Sequence, residues 1–181
     1  MQDASASHER LFYGILQRRG LAAPRVGYVE VSVNGQPFGV YLALESSDEH
    51  AFLGRSFAST ALLYEGQYGQ DLYPGHADTF DQDFGDPSSR QELSRVIDDV
   101  AAASDATFFA DTRDTIDWDN VIAQMAADVF CGHFDSYTAN RNNFTFHIDD
   151  GGRLGLISMR LGSARSGNSS KSMTTCAMSL G

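Results

Sequence analysis

Apolar residues recur at helical spacing in three stretches of the chain and gather at strand spacing in two pairs of short runs. Leu11, Phe12, Ile15 and Leu16 share one helical face. Ser7 stands where a cap belongs, and Gly20 and Pro24 follow the last apolar position, so a helix is predicted over about 8–19. Two strand-like runs come next, over about 27–33 and 38–44, joined by Asn34-Gly35. That dipeptide is the strongest short hairpin signal, because both residues tolerate the left-handed conformation of a tight turn. Asp48 opens a short helix, and the polar stretch over about 64–89, with Pro74 and Pro87, reads mostly as loop.

A second amphipathic stripe, Leu93, Val96, Ile97 and Val100, predicts a helix from Ser88 or Ser89 to about Ala103. A short helix over about 106–113 follows. Thr115 or Asp117 then caps a helix through Phe130, with Ile116, Val121, Ile122, Met125 and Val129 expected inward. Strands over about 144–148 and 154–157 flank the turn Asp149-Asp150-Gly151-Gly152. No internal repeat is visible. Strands segregated from helices indicate an α+β domain over residues 1–157, and residues 158–181 form a Ser-, Arg-, Gly- and Met-rich tail without periodicity.

Composition narrows the classes of function. The 181 residues carry a formal net charge of −11, with 42% hydrophobic and 20% charged residues. That hydrophobic fraction supports a packed core rather than general disorder. So acidic a chain is a poor match for a phosphate backbone, and nucleic acid is not an expected partner. No apolar run is long enough to span a membrane. The start, Met1-Gln2-Asp3-Ala4-Ser5-Ala6-Ser7, has neither the positive charge nor the apolar core of a signal peptide. Cys131 and Cys176 give no disulfide framework, and they leave the compartment open.

The chemistry concentrates in Gly132-His133-Phe134-Asp135-Ser136-Tyr137-Thr138-Ala139-Asn140-Arg141-Asn142-Asn143-Phe144-Thr145-Phe146-His147. A helix runs into this turn and an aromatic strand leaves it. Phosphoryl-transfer sites are often framed this way, with a carboxylate that accepts the attacking hydroxyl's proton and an Asn oxygen that holds magnesium. The same residues also suit an ordinary turn, since Asp and Asn cap helices and enter left-handed conformations for local reasons. His133 reads as a helix-end residue, and a zinc site from His133, Asp135 and His147 lacks a metal-binding spacing. Asp78, Asp81, Asp83 and Asp86 with Gly85 fall short of a calcium-loop pattern and read as a solvated acidic loop.

Four blocks in order resemble the CotH kinase family of atypical, protein-kinase-like proteins. The first is Val31-Ser32-Val33-Asn34-Gly35-Gln36-Pro37-Phe38-Gly39-Val40-Tyr41-Leu42-Ala43-Leu44-Glu45. Asp48-Glu49-His50-Ala51-Phe52-Leu53 and Leu62-Leu63-Tyr64-Glu65-Gly66 follow, and the turn over 132–143 is the fourth. The resemblance covers about residues 7–157 and implies a partial kinase-like fold, with a small sheet lobe and a helical lobe around a nucleotide. It further implies ATP and Mg2+ as cofactors and Ser/Thr hydroxyls of a protein substrate as acceptors. Asp135 would be the catalytic base or orienter. Asn143, which precedes the aromatic strand, would hold metal; the five-residue spacing of ordinary kinases selects Asn140 instead. Glu9 would be the ion-paired acid of the first helix, although His8 stands where the family often has Arg, and Glu9 equally suits a helix first turn. The segment around Glu45 would be the hinge at the adenine, while Glu45 itself equally suits a strand end, and Arg141 would hold a phosphate or brace the turn.

Two parts of the kinase plan are not matched. The nucleotide-contacting Lys belongs before the first helix, where this chain begins. The second metal Asp belongs after the strand ending at Ile157, where the chain reads Ser158-Met159-Arg160-Leu161-Gly162-Ser163-Ala164-Arg165. One encoding of that octapeptide, read one base later, yields Pro-Cys-Gly-Trp-Asp-Gln-His, so the tail is expected to be either a reading-frame product or a natural divergent end. As given, the chain is expected to be an inactive kinase fragment. The alternative is a non-catalytic spore-coat or cell-surface module that keeps the fold for interaction.

Overall fold

A computed structural model describes residues 7–87 and 90–159, organised as an α+β domain. The tail over 160–181, with its expected frame change, and the helix start at Ser88 or Ser89 lie outside the described residues. Helix α1 spans Ser7–Arg18. Its end is closed by Gly20 in the left-handed region (φ 72°), with Leu21 N–H donating to Leu16 O at 3.0 Å. Strands β1 (Val26–Val33) and β2 (Gln36–Leu44) pair antiparallel through Asn34 (φ 52°) and Gly35 (φ 78°), as the dipeptide predicts. Helix α2 spans His50–Ser56.

The stretch predicted as loop over about 64–89 holds the end of one strand, β3 (Leu62–Gly66), and the whole of another, β4 (Asp81–Phe84). β4 is four residues with two aspartates, too short and acidic to signal itself, and it is held by pairing to β3. Helix α3 covers Gln91–Ala102, α4 is a single turn at Phe108–Asp111, and α5 covers Trp118–Phe130, capped by Asp117 accepting from Asn120 N–H. A further turn, α6 (Tyr137–Asn140), precedes β5 (Phe144–Ile148) and β6 (Leu154–Ser158). The four-stranded sheet runs β4-β3-β5-β6, antiparallel throughout, and β1-β2 form a separate hairpin.

β5 and β6 are buried along their whole length because the sheet is covered on both faces. Phe144, Phe146, Ile148, Leu154 and Leu156 pack against Leu93, Val96 and Ile97 of α3 and Val121 of α5. Leu63 and Ile157 face Phe52 and Leu53 of α2 on the other side. A third cluster joins Phe12, Tyr13 and Leu16 of α1 to the hairpin base and to Ala127 and Cys131. Two expected inward faces differ from the pattern. Leu11 is exposed and Tyr13 takes its place, and on α5 Ile122 and Val129 are exposed while Gln124 and Asp128 are buried. The stripe 121, 124, 125, 128 is itself helical in spacing, so the helix has turned to bury two polar residues.

Glu45 ties the hairpin to α2. Its carboxylate accepts from Arg25 Nε and Nη2 at 3.1 and 2.9 Å and from Arg55 Nη1 and Nη2 at 2.8 and 2.5 Å. Burial opposes its charge, but hydrogen bonds from Arg55 and Arg25 dominate and hold the carboxyl at about 2. A carboxyl lowered on folding contributes stability that is full above its ordinary value of 4.5 and is lost as pH falls toward about 2. Glu45→Gln is therefore expected to lower unfolding free energy by about 1–3 kcal/mol near neutral pH. In denaturant titrations at successive pH values, the gap from wild type should close across that acid window.

Gly66 pairs with Phe144, and a Cβ there would lie 2.0 Å from the Phe144 ring. Gly66→Ala must displace a ring in the middle of the largest core cluster. A loss of about 1–3 kcal/mol is expected from overpacking, read as a lowered denaturant midpoint with an unchanged slope.

Candidate functional site

The turn between α5 and β5 is organised around one carboxylate. Asp135 Oδ1 accepts from Asn140 Nδ2 at 2.6 Å and from Asn142 Nδ2 at 3.0 Å. Oδ2 accepts from Asn143 Nδ2 at 2.7 Å, and the same amide reaches the Asp135 backbone carbonyl at 2.7 Å. The backbone follows this convergence. α6 is a single turn whose Asn140 N–H donates to Ser136 O, and Arg141 (φ 54°) and Asn143 (φ 48°) both enter the left-handed region. Such conformations are sparse for non-glycine residues other than Asn and Asp, and here they aim three amides at one acceptor. Asn143 O then accepts from Met159 N–H at 2.8 Å, which fastens the turn to the end of β6.

Burial works against a charge on Asp135, yet the hydrogen bonds from Asn140, Asn142 and Asn143, with nearby His133, outweigh it and hold the carboxyl below its ordinary range. A carboxylate offers about four lone-pair positions. Three amide donors leave room on Oδ2. Asn140 Oδ1 is buried and takes no hydrogen bond among the described residues. The donor set is therefore all oxygen with one fixed negative charge, which suits a hard cation that keeps several waters, such as Mg2+. A zinc centre is not supported: among the described residues no group of three His, Cys, Asp or Glu side chains comes together. His147 is instead stacked on Phe57 at 3.7 Å, with Nε2 3.0 Å from Thr60 Oγ1. In the acidic loop, Asp81 Oδ2 accepts from Gln67 Nε2 at 2.8 Å.

Asp135, Asn140 and Asn143 thus share one cluster, and Arg141 lies beside it. The Arg141 guanidinium hydrogen-bonds the Tyr73 hydroxyl and stands 3.7 Å from Asp71 Oδ2. Tyr137 OH donates to Asp71 Oδ1 at 2.6 Å; burial, then Asp71, push that phenol far above its ordinary range, so it stays a donor. Arg141 O accepts from Gly69 N–H at 2.9 Å, so the 69–73 segment is strapped onto the turn. Glu9 lies on α1, half-buried, on the helical face shared by Phe12, Tyr13 and Leu16. Glu45 is held in its clamp by Arg25 and Arg55.

Sequence reasoning missed Asp71, Tyr137 and Asp128. Asp71 sits 66 residues from Tyr137, and no local pattern announces such a pairing. Asp128 was legible in principle, because it continues the inward stripe of α5 once polar residues are allowed into the pattern.

The sequence matches the CotH kinase protein family over residues 1–158. Invasin CotH2 of Rhizopus delemar is 24% identical over 157 residues, covering 78% of this chain and 26% of that protein. Inner spore coat protein H of Bacillus subtilis is 24% identical over 149 residues, covering 77% of this chain and 41% of that protein. The chain therefore spans about a quarter of the first relative and about two fifths of the second. No helix among the described residues is long and apolar enough to cross a membrane.

Asp135→Ala would leave three converging amides without their acceptor, an expected cost of about 1–3 kcal/mol in unfolding free energy. Because folding lowers this carboxyl, the difference from wild type should be complete above about pH 5 and shrink as the solution is made more acidic. Chemical denaturation from pH 7 to pH 3 reads both.

Proposed function

The chain belongs to the CotH kinase protein family, and from that membership and the geometry of the turn we propose that the protein carrying this domain transfers phosphate from ATP to Ser and Thr hydroxyls of a protein. The observation that carries the reading is the fixed, charged Asp135, held by three amides with a free position on Oδ2, at the junction of α5, β5 and β6. Phosphoryl transfer asks for little covalent chemistry from the protein. Positioning and charge supply nearly all of the rate.

In this reading Asp135 orients the attacking hydroxyl and takes its proton late, as suits a carboxylate of low basicity. Magnesium, when bound, neutralises phosphate charge. Asp135 with the amide oxygen of Asn143 or Asn140 would hold it. Arg141, already turned toward Asp71 and Tyr73, would meet a phosphate oxygen. The segment at Glu45, braced by Arg25 and Arg55, would offer backbone groups to adenine, and Glu9 would serve from α1. The kinase plan also requires a phosphate-aligning Lys and a second metal carboxylate, so transfer is proposed for a protein that brings these to the domain.

A second reading, an interaction module of a coat or cell surface, is favoured by exposed apolar side chains. Phe38, Val40 and Tyr41 project from the hairpin, and Val129, Phe130 and Phe134 from the end of α5. The two relatives are named as a spore-coat protein and an invasin.

In a longer protein that contains the domain with both of those groups, Mg2+-dependent transfer from ATP to a Ser-rich protein is expected. Asp135→Asn should lower the rate by about 10²-fold or more. Asn143→Ala should raise the Mg2+ requirement more than Asn140→Ala does. Label transfer from ATP measures all three. Transfer unaffected by Asp135→Asn would remove Asp135 from the mechanism, and an inert protein that still bound its partner would favour the module.

A further inference from the structure

Helix α5 runs against the usual pattern near its end. Asp128 and the following His133 are each 1% exposed at the side chain and meet through Oδ1 and Nδ1 at 3.3 Å. On the opposite face Val129 and Phe130 are 68% and 80% exposed. Asp128 Oδ2, His133 Nε2 and Gln124 Oε1 are buried and find no hydrogen-bond partner among the described residues. A buried polar pair with unsatisfied atoms adds little to stability, and apolar replacements of similar volume are often neutral or better. Stability therefore does not explain the pair, and local rules are typically broken where a site needs a fixed geometry.

We infer that Asp128 and His133 are the positioning pair of the site, setting the direction in which Asp135 enters the turn. The inference rests on the reading of Asp135 as the working carboxylate. The chain between α5 and Asp135 has few other anchors. Gly132 has no side chain and is in the left-handed region (φ 65°), and Phe134 is 85% exposed. His133 alone of these three turns inward. Its backbone N–H donates to Asp128 O at 2.8 Å, and its ring bonds the Asp128 carboxylate, so the residue is pinned at both ends to the last turns of α5. The Phe12 ring meets the His133 ring edge-on at 5.4 Å, which places α1, and the helix face carrying Glu9, against the same anchor. Shifting His133 would rotate the segment that delivers Asp135 to Asn140, Asn142 and Asn143.

The test replaces both partners at once. Asp128→Leu/His133→Phe removes the polar pair without leaving a lone buried charge, so thermal stability is expected to hold or rise. In the same folded variant, the side-chain amide protons of Asn140, Asn142 and Asn143 should exchange with solvent about tenfold faster than in wild type, because their acceptor is no longer held in register. His133→Asn alone, with Asp128 in place to accept from the new amide, should keep exchange as slow as in wild type. A folded double variant with unchanged Asn140 and Asn143 exchange would overturn the inference. Should the double variant fail to fold, wild type still decides: a slowly exchanging His133 Nδ1 proton is required, and its absence overturns the assignment. Exchange needs no enzymatic turnover. A failure of phosphoryl transfer would therefore leave this result standing, and unchanged exchange would leave the transferase reading intact. Where transfer is measured, the double variant should lose kcat with little change in the KM for ATP.

Discussion

Asp135 gathers Asn140, Asn142 and Asn143 within hydrogen-bond distance of one carboxylate, and the junction of α5, β5 and β6 is shaped by that convergence. Two non-glycine residues accept left-handed backbone to make it, and Asn143 passes the constraint on to β6 through Met159. A charge that is partly buried must be met by donors or be neutralised. Here amides meet it, so Asp135 is an acceptor of fixed direction and low basicity rather than a free base.

The rest of the domain serves as a rigid mount for that turn. β5 and β6 are buried on both faces, and Phe144 and Phe146 lie at the centre of the largest apolar cluster. The residue following Asn143 is therefore fully buried in the core. Behind the turn, α5 commits its inner face to Gln124 and Asp128, and Gln124 Nε2 donates to Ala22 O at 3.2 Å to hold the loop after α1. The apolar residues displaced from that face, Ile122 and Val129, stand in solvent. Core packing is thus relaxed at the end of α5 where it supports Asp135, and kept tight along β5.

Much of this was readable from residue order. Asn34-Gly35 announced the hairpin, the stripes of α1 and α3 announced their helices, and the density of Asp and Asn after α5 announced a hydrogen-bonded polar turn, because those features are local. β4 escaped because it exists only through pairing with β3. In and just before α5, Ile116, Val121 and Met125 face the core as their spacing predicts, but Gln124 and Asp128 stand where Ile122 and Val129 were expected, because an apolar pattern does not register buried polar residues. Asp71 with Tyr137, and the clamp of Glu45 by Arg25 and Arg55, depend on contacts set by the folded topology. Asp135, Asn140 and Asn143 were each named from the sequence as candidates, and the fold brings them together. That the Asn side chains bind Asp135 itself was beyond what spacing could tell.

The proposed use of the Asp135 cradle as a cation site, beyond its role in the turn, is open to a direct measurement. Mn2+ substitutes readily for Mg2+ at oxygen ligands and broadens nearby proton resonances. In nuclear magnetic resonance spectra of the isotope-labelled protein, titration with Mn2+ and ATP should broaden the side-chain amide signals of Asn140 and Asn143 first. The signal of Asn120, near the start of α5 and so at the opposite end of that helix from the turn, with Oδ1 accepting from Leu156 N–H at 2.6 Å, should stay sharp. Asp135→Asn should abolish the selectivity. Broadening that ignores Asn140 and Asn143, or that persists unchanged in Asp135→Asn, would contradict the account.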